Sequence, residues 1–311
     1  MSNLFVQKVK NTITYRKNLI KTNYIHNIKF GNVKNKVIKN LAARDYLYKK
    51  LKKKYSKYVK INTVKSAIND TKKIWICWFQ GKQNAPELVQ QCISSVEKNL
   101  NDYEVIVLTW DNYKEYVNIP DYIMKLYNKK IITIVHLSDI IRMNVLIEHG
   151  GLWLDSTVLC TCKSLPEYMK NESLFVYKEI GLDLSDKSAI AASSWLIYAS
   201  KNNNILKATQ DMLYAYWKKE KYLKDYFLFH IFFKIATELY EDEWNNMPAY
   251  NNVSPHMLQF ELEKKYVPNR WNQLISMSDF HKLNRHNNYS NKDIFTNYDY
   301  IINGLKENNK K

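Results

Sequence analysis

At 311 residues the chain can bury a sizeable core as one large domain or as a domain with an appendage. Only six Gly and six Pro, set against 24 Tyr, 8 Trp and 11 Phe, exclude a disordered or collagen-like chain, and no fixed-period repeat is present. The net charge of +17 is lopsided: residues 1–70 carry 18 Lys and Arg against Asp45 and Asp70, a net +16, which leaves +1 for everything after them.

In chain order, the first distinct element is AARDYLYKKLKKKYSKYVK, Ala42–Lys60. Tyr48, Leu51, Tyr55 and Tyr58 or Val59 recur at helical spacing with lysines between them, which predicts a basic amphipathic helix. Two readings stay open for it, a charged helix packed on the domain or one lying on an anionic membrane surface. Nucleic acid is disfavoured, because no helix-turn-helix, zinc finger or aromatic-and-basic platform accompanies the charge. We therefore divide the chain into a basic helical extension, 1–70, and a globular domain, 71–311.

The domain opens with KIWICWF (Lys73–Phe79), a β-rich run, followed by a turn and then Pro86 at the first turn of a helix reaching about Leu100. YEVIVLTW (Tyr103–Trp110) is a second strand. Asp121–Asn128 is a short helix, Ile131–Val135 either a strand or a helix lead-in, and Leu137–His149 a largely buried helix. Gly150 and Gly151 end that helix. LWL is then a short strand presenting Asp155 at its carboxyl end. Ser173–Ile180 and Ala191–Ser200 read as strands, Asn204–Lys218 as a helix, and DYFLFHIFFKIATELY (Asp225–Tyr240) as an aromatic helix. From Pro248 the chain is turn-rich and polar, with a loose tail. This order predicts an α/β fold with a mainly parallel sheet, in which ligands bind beyond the carboxyl ends of the strands.

A carboxylate at the end of a buried strand is costly unless something satisfies it, as a metal ion or a sugar or ribose hydroxyl would. Asp139 and Arg142, three apart on the preceding helix, can face the same pocket, where Arg suits a pyrophosphate and Asp a sugar hydroxyl. On the residues alone, a local ion pair for these two and a turn-forming role for Asp155 remain open. No GxGxxG, P-loop, GxSxG or HExxH is present. Cys77, Cys92, Cys160 and Cys162 complete no zinc pattern and read as buried thiols. No apolar run approaches the roughly 18 residues of a spanning helix, and the amino terminus lacks a signal-peptide core, so a cytosolic protein is expected.

The block HLSDIIRMNVLIEHGGLWLDSTV (His136–Val158) resembles the heart of the capsular polysaccharide synthesis glycosyltransferases, relatives of the glycosyltransferases that contain the DXD sugar-binding region. KIWICWFQG, YEVIVLTWDN, SSWLIYASKNNNIL, DYFLFHIFF and HKL (His281–Leu283) resemble further family segments in the same order, so the resemblance runs from about Lys72 to Leu283. It implies a GT-A type fold and transfer of a hexose-type sugar from a UDP-sugar, with retention of configuration, to a bacterial surface polysaccharide repeat unit, often linked to polyprenyl diphosphate. It sets Asp155 against donor ribose, sugar and metal, Asp139 against sugar hydroxyls and Arg142 near the diphosphate or sugar. Trp153 would line that pocket, and Ile76, Trp78 and Phe79 would hold the nucleoside. His281 and Lys282 are late candidates for supporting the diphosphate or a metal. Asp155 and Thr157 would hold Mn²⁺ or Mg²⁺, although Thr157 stands where the wider relatives have a second carboxylate, a weaker ligand for a hard cation. No protein nucleophile is evident, and Asp183 or Asp225 would serve the acceptor side, the latter with Tyr226 and His230 on one helix. A lipid-linked acceptor would give residues 1–60 a reason to sit at the inner face of an anionic membrane. The alternative is a non-catalytic nucleotide-sugar binder of the same fold.

Overall fold

The computed structural model describes residues 13, 16, 17, 20, 21, 23–179, 188–285, 289 and 293–307. After a π-helical turn, Ile25–Lys29, the elements are α1 (Lys36–Tyr55), β1 (Lys73–Cys77), α2 (Glu87–Asn99), β2 (Glu104–Leu108), α3 (Asp121–Asn128), α4 (Ile134–His149), β3 (Gly151–Leu154) and β4 (Val158–Cys160). They continue as β5 (Leu174–Lys178), β6 (Ala192–Ala199), α5 (Asn204–Lys219), α6 (Leu228–Leu239), α7 (Glu241–Asn246), α8 (Pro268–Ile275), β7 (Phe280–Lys282) and α9 (Asn297–Glu307), with short helical turns between them.

Five strands form one sheet in the order β2-β1-β3-β6-β5. β1 pairs in parallel with β2 and β3, while β6 runs antiparallel to both β3 and β5. The fold is thus α/β with a mainly parallel central sheet. Alternation along the inner strands divides the core between two faces. Trp75 and Trp153 point into the layer that holds α4, α5 and α6, whereas Ile74, Ile76, Leu152 and Leu154 pack on the opposite face with Val89, Ile93 and Val96 of α2. β4 and β7 form a separate antiparallel ribbon that brings the late chain back to the end of β3.

The glycine pair after α4 is required by geometry. Gly150 and Gly151 have φ values of 67° and 105°, and a Cβ on Gly151 would collide with the Lys73 carbonyl of β1. Trp75 Nε1 donates to the Gly150 carbonyl at 2.9 Å, so this turn is fastened to the neighbouring strand. The chain therefore leaves α4 and enters β3 within two residues, which keeps Arg142 close to Asp155.

Several boundaries differ from the sequence reading. Ile131–Val135 is the helix lead-in and no strand: Thr133 caps α4 by accepting from His136 N at 3.2 Å, one turn earlier than the apolar pattern suggested. Pro86 is the cap residue before α2 and lies outside its first turn. Asp225 and Tyr226 precede α6 and are not on it, because the Asp225 carboxylate accepts from Phe227 N at 2.8 Å and holds a turn there. The region after Pro248 contains α8 and α9, whose apolar residues close a third cluster with Leu88, Cys92 and Leu159. The last residues of the expected loose tail, 308–311, lie outside the described residues, as does Ile180.

From α1 onward the basic extension is packed on the domain; residues 1–12 lie outside the described residues. Ala43, Leu47, Leu51 and Tyr55 form the buried stripe of α1, one helical turn earlier than the Tyr48-to-Tyr58 stripe. Tyr55 meets Tyr216 of α5 and Phe232 of α6 at ring centroid distances of 5.6 Å each. Glu238 accepts from Tyr48 Oη and Lys52 Nζ, both at 2.7 Å. Among the described residues no helix is long and apolar enough to cross a membrane.

Candidate donor-binding cleft

A cleft of about 710 Å³ opens at the carboxyl ends of β1 and β3. Its walls come from the end of β1 (Cys77, Trp78, Phe79), the first turns of α4 (Ser138, Arg142), the end of β3 (Trp153, Asp155) with Thr157, and the β7 exit (Lys282, Arg285). The cleft thus sits where parallel α/β sheets bind ligands.

Its centre is a connected set of charges. Arg142 Nη1 donates to Asp139 Oδ1 at 2.8 Å and Nη2 to Asp155 Oδ1 at 2.9 Å. The guanidinium lies 4.9 Å from the Trp153 ring centroid and 5.9 Å from that of Phe229, an aromatic seat that fixes its plane. Trp153 Nε1 also donates to Asp155 Oδ1, at 3.2 Å. On the other side, Lys282 Nζ stands 3.2 Å from Asp155 Oδ2 and donates to Thr157 Oγ1 at 2.7 Å. Burial alone would raise the Asp155 carboxyl, but the charges of Lys282 and Arg142, with the Trp153 N–H, outweigh it and hold the group below its ordinary value. Asp155 is therefore a fixed anion and a weak base.

Asp139 sits behind this set. It is buried, with one oxygen on Arg142 and the other 3.5 Å from His136 Nδ1. Trp217 Nε1, which can only donate, gives its hydrogen bond to His136 Nε2 at 3.0 Å, so the imidazole proton lies on Nδ1 and faces Asp139. Asp139 does not line the cleft; the geometry gives it the work of orienting Arg142, in place of the expected contact with sugar hydroxyls.

Two expected lining residues point elsewhere, each because strand side chains alternate. Ile76 is in the core beside Leu154, while Cys77 on the opposite face and Trp78 beyond the end of β1 reach the cleft. His281 is fully buried on the far face of β7, its Nε2 3.3 Å from Thr161 Oγ1, and burial pushes its imidazole down to about 4. Lys282 beside it takes the cleft face. Phe79 lines the cleft but lies under Trp110, stacked at 4.0 Å. Trp78 is the more available ring: Arg285 lies 5.2 Å from its centroid, and its buried Nε1 has no hydrogen-bond partner among the described residues.

On the acceptor side, Asp183 lies outside the described residues. Asp225 is buried and committed to the extension, 3.1 Å from His26 Nε2 and 3.6 Å from Arg44 Nε, so it anchors residues 23–44 and is unavailable to an acceptor. Tyr226 is exposed, and His230 is held neutral by burial, which pushes it down to about 4. Cys160 and Cys162 are free thiols with sulfurs 3.7 Å apart. The sequence reading missed Arg285, Ser138, His256 and Gln259, all lining the cleft. Arg285 had a signal, a second cation three residues beyond Lys282 at the end of a strand; the others are polar residues with no pattern of their own.

The donors do not fit a resident divalent cation. Hard cations take six or more oxygens with carboxylates prominent, but both Asp155 oxygens and the Thr157 hydroxyl are already engaged by cationic and N–H donors. Among the described residues no group of three or more His, Cys, Asp or Glu is placed to hold a metal ion.

A search of curated proteins finds no match. Among solved structures the chain is similar to the PaToxG glycosyltransferase, at 16% identity over 76% of this chain and 80% of that one, with a TM-score of 0.37. It is also similar to the catalytic domain of alpha-toxin from Clostridium novyi, at 9% identity over 97% of this chain and 82% of that one, with a TM-score of 0.35. Likenesses this distant carry no argument about the site. The sequence model described as capsular polysaccharide synthesis protein matches residues 8–301, and the chain belongs to that family.

Proposed function

We propose that the cleft is the donor site of a GT-A type glycosyltransferase, which moves a hexose-type sugar from a UDP-sugar to a hydroxyl of a capsular or exopolysaccharide repeat unit carried on polyprenyl diphosphate. Family membership supports the polysaccharide product. One observation carries the donor reading: Arg142, Lys282 and Arg285 converge with a single carboxylate, Asp155, beside the half-buried Trp78. Guanidinium and ammonium groups suit a diphosphate, a fixed carboxylate suits ribose or sugar hydroxyls, and an indole face suits a base or sugar ring.

In the transfer, the bond between the sugar C1 and the diphosphate oxygen breaks, and its electron pair stays on that oxygen. The acceptor hydroxyl oxygen bonds to C1, and its proton passes to the departing diphosphate. The resemblance to the DXD glycosyltransferases carries the expectation of retention, with attack on the face the diphosphate leaves. Asp155, paired on both oxygens and held below the ordinary carboxylate range, suits charge placement and not nucleophilic attack. The protein's share is positioning and stabilisation of the leaving group.

The same reading sets residues 1–60 against an anionic membrane. α1 keeps Lys49, Lys50 and Lys53 exposed, and Val37, Ile38 and Leu41 are exposed near its start. The test of the catalytic reading is UDP release from a panel of UDP-sugars: Asp155→Asn should lower it by about 100-fold. Unchanged turnover in that variant defeats the assignment, and thermal protection by UDP-sugars without any turnover favours the non-catalytic binder.

A further inference from the structure

Lys282 stands where a divalent cation bound by this pair would have to stand. Its ammonium faces the two oxygens that Asp155 and Thr157 would offer a metal, at 3.2 Å and 2.7 Å. The lysine is built in. It belongs to β7, where it pairs with Val158 of β4, and the next residue, Leu283, donates its N–H to the Thr157 carbonyl at 2.9 Å. Its side chain is only 21% exposed. Asp155 Oδ1 is filled by Arg142 and Trp153, so this carboxylate has one oxygen left for a cation, and Lys282 has it.

We propose that this is a metal-independent nucleoside-diphosphate site, in which the Lys282 ammonium does the electrostatic work a metal ion would do; the proposal rests on the donor reading of the cleft. Charge matching explains Thr157. A second carboxylate there would give Lys282 two anions to face and would call for a divalent partner. A hydroxyl instead accepts one hydrogen bond and adds no charge, which suits a monovalent ammonium. Two of the three N–H donors of Lys282 are used on Asp155 and Thr157, and among the described residues the third meets no hydrogen-bond acceptor, which suits it to a diphosphate oxygen. Around it the described lining residues supply Arg142 and Arg285 as further cations and Asp155 as the one acid; with Asp139 behind Arg142, the three cations still outnumber the carboxylates they pair with, a net positive charge that draws a diphosphate. When the C1–oxygen bond breaks, the electron pair left on the diphosphate meets these cations, and no metal takes part.

The test is calorimetry of the full chain with UDP, once in EDTA and once with Mn²⁺ or Mg²⁺. The proposal expects the same affinity in both, a loss of about tenfold or more in Lys282→Met, and recovery of most of it in Lys282→Arg. Uridine, which lacks the diphosphate, should bind wild type and Lys282→Met alike. UDP binding that appears only with a divalent cation overturns the proposal and leaves the donor reading standing. Unchanged UDP affinity in folded Lys282→Met also overturns it. UDP binding in neither condition overturns the donor reading and the proposal with it. Should Lys282→Met fail to fold, the EDTA and metal arms on the unaltered chain decide alone.

Discussion

The two regions richest in cations use them in opposite ways. On α1 the lysines ring an apolar stripe, and Lys49, Lys50 and Lys53 are exposed. Their pairs are local or at the surface, as in Lys49–Asp45 at 2.8 Å. In the cleft, Arg142 and Lys282 are each locked to named oxygens, and Arg142 is backed by Asp139 and two aromatic rings. Most of the net charge lies in residues 1–70, to which α1 belongs, yet the proposed donor site lies in the second region. Exposed pairs are worth little because water already solvates both partners, whereas removing one member of a buried set leaves an uncompensated charge. What a charge does is set by what holds it.

That contrast can be broken by substitution. Arg142→Ala should show the largest effect, about 3–5 kcal/mol of stability by chemical denaturation together with loss of UDP binding, since Asp139 and Asp155 lose their shared cation. Leu51→Ala, in the buried stripe of α1, should cost about 2–5 kcal/mol, because its face belongs to the main core. Nucleotide affinity of the folded fraction should be unchanged, and a shift there would couple the extension to the cleft.

Acid gives a graded test. Burial pushes His230 and His281 down to about 4, so each is neutral in the folded chain while its unfolded counterpart protonates near 6.5. The unfolded state then binds more protons across that interval. The stability these groups contribute is complete above pH 6.5 and is lost as the pH falls toward 4. Unfolding midpoints followed across that interval should decline, and less steeply in His281→Leu. The smallest stability effect belongs to α1: Lys49, Lys50 and Lys53 changed together to Gln should alter stability by less than about 1 kcal/mol. The same triple variant should weaken binding to anionic liposomes, and wild-type binding should fall as salt rises. Liposome binding indifferent to salt would remove the membrane role from this helix.

Much of this arrangement was legible in the residues. The helix–Gly–Gly–strand–Asp run located Asp155, Arg142 and Trp153 together because a two-residue turn allows no other placement. Lys282 was legible only as a weak candidate, since its place depends on a ribbon that pairs Lys282 with Val158 across more than a hundred residues of chain. Asp139 was found, but its contacts within the fold were not legible: its partner His136 is fixed by Trp217, a residue of another helix that no local pattern connects to it. Ile76 was placed on the wrong face because both faces of β1 look apolar, and His281 because a three-residue strand of Phe, His and Lys has no pattern that tells its buried face from its cleft face. Asp225 looked like part of a helix, as aromatic runs do, until its carboxylate was seen to close the turn before α6.

The most direct test of the donor site is thermal unfolding of the intact chain against a panel of nucleotide sugars, with Arg142→Lys as the comparison. A UDP-sugar at roughly 100 times its dissociation constant should add about 2.7 kcal/mol and raise the midpoint of wild type by several degrees. Arg142→Lys, which cannot reach Asp139 and Asp155 with one planar fork, should lose most of that rise. If no nucleotide sugar shifts the midpoint, or the two proteins respond alike, the cleft is not the donor site described.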